Sequence, residues 1–446
     1  MKRSFADILA GLDGDRARKV ARKLPEWASV DGLEIPSALS LEQCSSTATA
    51  QYKASLVSAC RTGCCCGKTV ATHGPVNGRG PLPEEVGGMS EAKFCSSSLS
   101  GKAEDGMLVL DLTGGLGVDS WAFAQVAERV VYYERDAELA AAADRNFARL
   151  GATGIEVRCE TVTPRTELPE ADLIYADPAR RDAAGHKVFL LEDCTPDILT
   201  LLPMLLQKAP AVLLKLSPMA DLAMLAGRLG PSLREIHVVE LDGEVRELLC
   251  LLLRDTAPAE PEIIVARLPE AAAVSPEAIL RFRMTDEREA SAVYAEGVQP
   301  GDVLLEPCPA LLKAGAFRLP CERWGLRKLA PSTHLYLRPP VPGAKTVSSA
   351  PGEPKNSVPG ANEASSAPGI RFFKARRVRE VLPFGAAAFK QLKQRCPRAE
   401  ITARNLPLGS DALRKKMGIA PGGDTHIFGC RLADGGAVLI VSEKAV

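Results

Sequence analysis

One strand-turn-helix segment constrains the fold of this chain more than any other: VLDLTGGLGVDSWAFA, residues 109–124. It joins an apolar, β-branched run to a helical pattern through three glycines within four positions. Glycines at such a corner let the main chain pass close to a ligand, and the first turn of the following helix presents N–H groups without partners inside the helix. The segment therefore predicts a βα unit with a cofactor at its turn.

Similar short apolar runs alternate with helical patterns over residues 106–270, which predicts an α/β domain built on a doubly wound, parallel sheet. The predicted strands read MLVLDL, RVVYYE, IEVRC, ADLIYAD, AVLLKL, EIHVVEL and ELLCLLL. The last two are joined through DGEVR, and we predict that they form an antiparallel pair at the edge of the sheet.

The rest of the 446-residue chain divides by composition, and its length suits two or three domains. Residues 1–58 form a predicted helical region, whereas residues 59–105 are rich in Gly, Ser, Pro and Cys and are predicted to be a flexible insertion. A small unit at 271–338 is followed by a linker rich in Pro, Gly and Ser at 339–370 and by a final domain at 371–446.

Composition and targeting patterns predict a cytoplasmic protein without a membrane span. The N-terminal stretch MKRSFADILAGLDGDRARKV has no long apolar run and no small-residue cleavage site, and no segment reaches about 18 uninterrupted apolar residues. The 13 cysteines are therefore expected to be reduced thiols. The cluster CRTGCCCG places three thiols side by side, which cannot easily converge on one tetrahedral ion, so we expect no metal site.

The residue order at the glycine turn favours S-adenosylmethionine over a dinucleotide. A dinucleotide fold uses Gly-x-Gly-x-x-Gly and directs its helix at a pyrophosphate. Here Asp111 precedes the turn, where a carboxylate repels a pyrophosphate but suits the cationic, amine-bearing end of S-adenosylmethionine. The turn DLTGGLG resembles motif I of the class I S-adenosylmethionine-dependent methyltransferases. That resemblance implies a site for the methionine part of the cofactor, made by Asp111, Thr113 in the first glycine position, Gly115 and Gly117.

Two acids farther along the chain occupy positions where such enzymes contact the nucleoside. Glu134 ends the strand VVYYE, 23 residues after Asp111, where a carboxylate can accept hydrogen bonds from both ribose hydroxyls. After the third strand, Glu160 or Thr161 lies where the family contacts adenine. Either residue is equally compatible with an ordinary loop.

The segment ADLIYADPARR carries a second functional motif. Asp177 and Pro178 follow an apolar strand directly, at the carboxyl edge of the sheet where open α/β folds bind ligands. The segment resembles motif IV of nucleic-acid methyltransferases, in which the acid accepts the N–H of an amine and orients its lone pair toward the methyl group. We therefore expect Asp177 and Pro178 to be the catalytic residues in transfer to a base nitrogen.

The same segment departs from that motif in ways that bear on the acceptor. Ala179 and Arg180 replace the second proline and the aromatic residue. A ring that stacks on the base would have to come from elsewhere, with Phe189 and Tyr175 as the candidates. Arg180 and Arg181 are expected to bind phosphate instead.

The next strand, LLKLSP, argues against methylation at carbon. Enzymes that methylate uracil carbon 5 place a nucleophilic cysteine on this strand, whereas Leu216 occupies that position here. Its neighbour Lys215 either contacts the substrate or only caps the strand. The lone residues His186 and His237 are interpreted as ordinary surface or core histidines, and the stretches KAGAF and STHLYL receive no role.

Basic residues concentrate near the C-terminus, although the whole chain is balanced at 55 basic and 55 acidic residues. Between residues 371 and 418, three acids stand against 13 basic residues: Arg371, Lys374, Arg376, Arg377, Arg379, Lys390, Lys393, Arg395, Arg398, Arg404, Arg414, Lys415 and Lys416. Such a patch is typical of a polyanion-binding surface, although basic runs are also often solvated faces. The adjacent Phe372 and Phe373 favour nucleic acid, and we expect substrate contacts from Arg376, Arg377, Arg404 and Lys415.

Along most of its length, the chain resembles bacterial class I methyltransferases that carry a C-terminal THUMP-like domain. The matching stretches include KLPEWASVDGLEIPSALSLEQCSS, DLTGGLGVDSWAF, YADPARR, LLEPCPALLKAGAF, KLAPSTHLYL, ITARNLPLGSDALRKKMG and GGDTHIFGC. The resemblance implies a Rossmann-like methyltransferase sheet of seven strands, a small ferredoxin-like module at 271–338 and a THUMP-like α+β domain at 371–446 that docks RNA.

Together these features predict an S-adenosylmethionine-dependent methyltransferase that modifies a base nitrogen of tRNA or rRNA, with guanine N2 as the leading candidate. Two alternatives stay open: a small-molecule methyltransferase, and a catalytically idle RNA-binding protein with a degenerate pocket. The first would not need the C-terminal domain, and the second would not bind S-adenosylmethionine.

Overall fold

The computed structural model describes residues 18, 21–61, 106–178, 196–269, 278–339 and 368–444. The chain divides into two compact units, one formed by Met1–Arg234, Leu249–Ala259 and Ala271–Ser275, the other by Glu235–Leu248, Glu260–Glu270 and Pro276–Val446. Within the described ranges, no helix is both long enough and apolar enough to cross a membrane.

The first unit is built on short apolar strands: β1 (Leu108–Asp111), β2 (Arg129–Tyr133), β3 (Ile155–Arg158), β4 (Leu173–Ala176) and β5 (Ala211–Leu216). These strands pair in parallel and lie in the order β3-β2-β1-β4-β5. Parallel strands need crossover connections, which are usually helices that cover the faces of the sheet. The observed order confirms the doubly wound sheet expected from the alternating pattern.

Aspartate residues start the helices that follow several of these strands. The helices whose bounds are described in the first unit include α1 (Pro25–Ala28), α2 (Ala38–Gln43), α3 (Thr47–Arg61), α4 (Val118–Phe123), α5 (Ala137–Arg149), α6 (Ile198–Lys208) and α7 (Leu222–Leu229). The side chains of Asp136, Asp197 and Asp221 accept hydrogen bonds from main-chain N–H groups in the first turns of α5, α6 and α7. Such N-caps satisfy donors that have no partner within a helix, which fixes where each helix begins.

The four strands that follow are β6 (Leu233–Leu241), β7 (Glu244–Leu253), β8 (Glu262–Arg267) and β9 (Ala278–Phe282). The seven expected strands occur in the order β3-β2-β1-β4-β5-β7-β6, and β8 and β9 follow β6. Asp242 and Gly243 connect β6 to β7 with φ of 56° and 73°, as in a type I′ hairpin. The prediction that this hairpin forms the sheet edge is wrong, because the apolar run EIIVAR forms β8, which pairs in parallel with β6.

Polar and aromatic contacts hold the N-terminal segment against other helices of the first unit. The main-chain N–H of Glu34 donates to Asn146 Oδ1 at 2.7 Å, and Asn146 Nδ2 donates back to the Glu34 carbonyl oxygen at 2.7 Å. Arg145 also binds the Glu34 carboxylate, at 2.7 Å. Trp27 is fully buried and meets Trp121 edge-on, with ring centroids 6.4 Å apart. The predicted N-terminal helical region therefore packs on α4 and α5, although the expected helix over FADILAGL lies outside the described residues.

The second unit contains another sheet, made of β10 (Val303–Pro307), β11 (Arg327–Lys328), β12 (Tyr336–Leu337), β13 (Phe373–Pro383), β14 (Glu400–Arg404), β15 (His426–Arg431) and β16 (Ala437–Lys444). The order is β11-β12-β10-β13-β16-β15-β14, with β10 antiparallel to β13. Its helices are α8 (Met284–Glu289), α9 (Pro309–Ala314), α10 (Leu319–Trp324), α11 (Ala386–Arg395) and α12 (Ser410–Met417). The predicted ferredoxin-like and THUMP-like segments thus share one sheet, and their boundaries stay a prediction.

The two faces of this sheet are packed differently. Ile427 and Val441 lie in one apolar cluster with residues of α11 and α12. Leu304, Val378 and Phe428 belong to a second cluster, which contains no residue of α11 or α12. Because successive side chains of a strand point to opposite faces, this division decides which face each basic residue of β13 and β14 can reach.

Replacing Asn146 by alanine is expected to loosen the N-terminal segment. The change leaves the N–H and carbonyl groups of Glu34 without their side-chain partner, which should lower the free energy of unfolding by about 2–4 kcal/mol. Urea denaturation followed by tryptophan fluorescence measures this, since Trp27 and Trp121 are in contact. Arg149→Ala is the control: Arg149 binds Glu34 at 3.3 Å but is 38% exposed, so its loss should cost under about 1 kcal/mol. If both variants lost the same free energy of unfolding, the contacts of Asn146 would not be what holds the N-terminal segment.

Candidate cofactor and acceptor site

Two aromatic rings shape the glycine turn after β1. A Cβ at Gly114 would lie 2.0 Å from the ring of Tyr132, and one at Gly117, where φ is 89°, would lie 2.6 Å from the ring of Phe147. At Gly115, where φ is 56°, a Cβ would come no closer than 3.8 Å to another atom. The absence of a Cβ at Gly114 and Gly117 therefore allows the main chain of the turn to pack directly against the two rings. At Gly115 the space beside the main chain is open. The motif-based prediction omitted Gly114, although its place in GGLG could have indicated it.

Asp111 is completely buried at the end of β1. Its Oδ1 accepts a hydrogen bond from the Thr113 N–H at 3.1 Å, and its Oδ2 accepts one from the Ser120 hydroxyl at 2.6 Å. Burial raises the pKa of Asp111 to about 7, although the hydrogen bond from Ser120 acts in the opposite direction. The carboxyl group ties the strand, the turn and the start of α4 together.

Glu134 connects the end of β2 to the same turn. Its Oε2 accepts from the Gly115 N–H and its Oε1 from the Asp136 N–H, each at 2.9 Å. Glu160 is exposed, and its N–H donates to the Glu134 carbonyl oxygen at 3.0 Å. The two predicted nucleoside contacts thus adjoin each other at the carboxyl edge of the sheet. Contact between Glu160 and adenine stays a prediction, as does the alternative of Thr161, which is also exposed.

The predicted catalytic acid adjoins the glycine turn. The N–H of Asp177 donates to Thr113 Oγ1 at 2.6 Å, a contact that glycine in the first position of the motif would not provide. Asp177 Oδ2 accepts a hydrogen bond from Lys215 Nζ at 2.5 Å, with the two side chains 37% and 14% exposed. Pro178 is buried. The ammonium of Lys215 thus contacts the predicted catalytic acid, and a contact between Lys215 and the substrate stays a prediction.

A buried ion pair, which no sequence motif indicated, joins α3 to α4. Lys53 Nζ lies 3.1 Å from Asp119 Oδ1, with the side chains 0% and 12% exposed. Asp119 Oδ2 accepts from the hydroxyls of Ser45 and Tyr175, each at 2.8 Å. Burial acts to raise the pKa of Asp119, but Lys53 and then Lys215 outweigh it and hold the pKa below its ordinary value. Tyr175 is only 1% exposed, so its ring does not supply the stacking surface considered above.

The predicted phosphate contacts are not all gathered in one place, although Arg376 and Arg404 both lie near His426, whose pKa is lowered by its burial and then by these charges. Arg376 and Arg377 are adjacent on β13 and so point to opposite faces of the sheet. Arg404 Nη2 binds Glu306 Oε1 at 3.3 Å, and this ion pair partly neutralises the charge of Arg404. Lys415 is exposed on α12. Three further candidates lie outside the described residues: Arg180, Arg181 and Phe189.

Asp111→Asn is expected to change how stability depends on pH. The folded-state pKa of Asp111, about 7, exceeds its ordinary value of 3.8. The folded protein then holds a proton that the unfolded chain releases, so stability falls as the pH rises between these values. Asparagine removes this contribution. Urea denaturation measures the free energy of unfolding at about pH 5 and about pH 8. Between these two pH values, the variant should lose about 2–3 kcal/mol less of this free energy than the wild type.

The control for that prediction is Asp424→Asn, which makes the same chemical change at an exposed position. Its stability should follow the wild type at both pH values. Parallel behaviour of the wild type and Asp111→Asn would show that Asp111 does not titrate in this range.

Comparison with protein families identifies two domains in the second unit. Residues 374–444 match the model of the THUMP domain-like family, and residues 304–340 match that of a ferredoxin-like domain. Among curated proteins, none matches this chain.

Solved structures match either the whole chain or about a third of it. A crystal structure described as a candidate methyltransferase from Porphyromonas gingivalis W83 is 31% identical, with 96% of this chain and 88% of that chain covered and a TM-score of 0.68. A candidate methyltransferase from Streptococcus mutans in complex with SAH is 9% identical, with 33% and 88% covered and a TM-score of 0.26. An rRNA methylase from Streptococcus thermophilus is 12% identical, with 33% and 87% covered and a TM-score of 0.26. The last two similarities are too partial to carry an argument.

The match to the P. gingivalis protein covers nearly the whole of both chains. The strand order β3-β2-β1-β4-β5-β7-β6 accompanies the glycine turn, and the THUMP-like match occupies the C-terminal strands and helices. This chain therefore belongs to the class I S-adenosylmethionine-dependent methyltransferases that carry a C-terminal THUMP-like domain.

Proposed function

We propose that this protein transfers a methyl group from S-adenosylmethionine to a base nitrogen of tRNA or rRNA, with guanine N2 as the first candidate. The observation that carries the proposal is the contact between the two predicted motifs. The Asp177 N–H donates to Thr113 Oγ1 at 2.6 Å, so the acid after β4 adjoins the turn after β1. Methyl transfer requires donor and acceptor to be held together in one orientation, which this juxtaposition supports.

The glycine turn fits the donor. A Cβ at Gly115 would meet no atom closer than 3.8 Å, so a ligand has room against the main chain there. We infer that Thr113, Gly115 and Gly117 hold the methionine part, while the buried Asp111 acts by keeping the turn in shape. Glu134 accepts one N–H on each oxygen, which leaves further lone pairs for the ribose hydroxyls. Bound there, the cofactor would supply an electrophilic methyl group on a sulfonium.

Asp177 retains acceptor capacity for an incoming amine. Lys215 binds Oδ2, whereas Oδ1 has no hydrogen-bond partner within the described residues. An exocyclic amine that donates to Oδ1 has its lone pair oriented for attack. An amine that accepts a methyl group would become positively charged, and this carboxylate would take the proton that it then loses. Lys215, bound to the other oxygen, would hold the carboxylate in one orientation for this contact.

Charge on the THUMP-like segment supports RNA as the substrate. Between residues 371 and 418, 13 basic residues stand against three acids in a chain of balanced total charge. Arg377 and Lys415 are exposed and are proposed to bind phosphate, whereas Arg376 and Arg404 are half-buried. Such contacts would position the RNA without reading its sequence. We propose the cytoplasm as the place of action.

A small-molecule methyltransferase would use the same donor site without the basic segment. Deleting residues 371–446 would not separate the two functions, because β13 pairs with β10 and its loss would open the second sheet. The double variant Arg377→Glu, Lys415→Glu changes exposed residues only. Unchanged methylation by this variant would favour a small-molecule substrate. A catalytically idle RNA-binding protein would instead show no binding of S-adenosylmethionine in calorimetry.

Deletion of the gene is expected to remove one methylated nucleoside from tRNA or rRNA, as measured by mass spectrometry of the digested RNA. Wild-type protein should restore it. Asp177→Asn should lower the rate by about 10²-fold or more, because an amide oxygen can still accept the N–H of the amine but cannot take the proton that the methylated nitrogen loses. Asp424→Asn changes an exposed acid in the same way and should restore the nucleoside fully. If every methylated nucleoside persists in the deletion strain, the RNA assignment fails.

A further inference from the structure

We propose that a pocket in the second unit binds one nucleotide whose base carries a carbonyl oxygen, guanine or uracil in preference to adenine. The inference goes beyond the proposed function, since it adds a nucleotide-binding site that plays no part in methyl transfer. It applies to a free nucleotide and to a nucleotide within an RNA strand, because both present the same base and phosphate.

The pocket joins KAGAF, a stretch to which the sequence assigned no role, to the residues that directly precede a second such stretch, STHLYL. It has a volume of about 350 Å³, within the range of small-ligand sites. Gly315 and Phe317 come from KAGAF, and Lys328 and Pro331 come from KLAPSTHLYL. Two segments separated in sequence thus supply a flat ring and a cation to one concave surface.

Lys328 supplies a buried ammonium group to this pocket. The residue is 2% exposed, and its Nζ donates to the Pro331 carbonyl oxygen at 2.6 Å. An ammonium has three donors, and only this one meets a hydrogen-bond acceptor among the residues that the structure describes. Burial lowers the pKa of Lys328 from its ordinary value. A ligand oxygen that accepts from the remaining donors would offset this desolvation.

Aromatic and apolar side chains form the walls. The Phe317 ring lies 4.0 Å from the His334 ring and 5.5 Å from Lys328 Nζ, which holds it in one orientation. Tyr294 and Met284 also line the pocket and are 39% and 36% exposed. Flat rings beside cations are the surfaces on which proteins stack unpaired bases.

The charge at the pocket is positive. Arg288 and Arg318 line it together with Lys328. The one acid in the lining, Glu287, is 8% exposed, and its carboxylate accepts from the main-chain N–H groups of Arg318 and Leu319 at 2.8 and 3.1 Å. Glu287 is committed to the start of α10, and Arg288 lies 4.0 Å from Glu260 on the exposed side, so Arg318 and Arg288 together can still attract a phosphate group.

The combination of ring, acceptor and phosphate selects a nucleotide. Guanine offers O6 and N7 as acceptors and uracil offers O4, whereas adenine has the N7 acceptor but an amine donor where guanine has O6. A buried ammonium therefore favours guanine and uracil over adenine. Stacking on Phe317 and Tyr294 would contribute affinity for every base and would not discriminate among them.

The test is calorimetric titration of the full-length protein with GMP, UMP and AMP, and with short G, U and A oligoribonucleotides, in the absence of S-adenosylmethionine. GMP and UMP are expected to bind about 10-fold more tightly than AMP. Lys328→Met should abolish that preference. Tyr294→Ala changes a half-exposed residue and should weaken binding of all three by about 10-fold without altering their order. Arg327→Met removes the same charge from the exposed neighbouring residue and should behave as wild type.

Equal affinity for all three nucleotides, or a preference that survives in Lys328→Met, would overturn the proposal. Binding of oligonucleotides but not of monophosphates, with the same dependence on Lys328 and Tyr294, would support it and assign the nucleotide to an RNA strand. Absence of binding by either form would overturn it. The nucleotide titrations depend on Lys328 and Tyr294, whereas the methyl-transfer proposal is tested by a methylated nucleoside and depends on Asp177, so the two proposals can fail separately.

Discussion

The candidate site depends on one carboxyl group that is buried where β1 ends. Asp111 accepts hydrogen bonds from the N–H of Thr113 and the hydroxyl of Ser120, and so fixes the turn between them. Its burial is unfavourable near neutral pH, because it raises the pKa to about 7. In return for this cost, the hydrogen bonds to Asp111 hold in one conformation the turn that contacts Asp177 and Glu134. A hydrophobic residue at this position would be buried without that cost, but it would not accept the hydrogen bonds that fix the turn.

From that carboxyl group, polar contacts extend across the carboxyl edge of the sheet. Thr113 receives the N–H of Asp177, and Asp177 in turn accepts from Lys215 on β5. On α4, Asp119 carries a second set of contacts with Ser45 and Lys53. The N-terminal helices therefore support the start of α4 in addition to covering apolar surface. Breaking this pair by removing one partner would leave a buried charge uncompensated, which is strongly destabilising.

Local patterns in the sequence predicted the parts of this structure that local physics determines. The glycine turn, the parallel strands and the acid after β4 each follow from residues adjacent in the chain, and the fold class was confirmed. The hairpin position was wrong because EIIVAR, although bounded by Pro261 and Pro269, is too short an apolar run for periodicity alone to identify it as a strand of the sheet. The pairing of Lys53 with Asp119 was missed because a lysine in a polar helical stretch reads as solvated. Which base nitrogen is methylated depends on the acceptor pocket, and motif residues alone do not determine it.

The antiparallel pairing of β10 with β13 bears on how proteins of this kind can be recombined. Five residue pairs join a strand of the ferredoxin-like match to the first strand of the THUMP-like match. Cutting the chain between them would leave two open strand edges, which invite aggregation. The two domains are thus separable in sequence comparisons but not as folding units. Grafting the C-terminal segment onto another protein would require the ferredoxin-like segment to be transferred as well. A chimera joined within residues 339–370 would contain only part of this sheet.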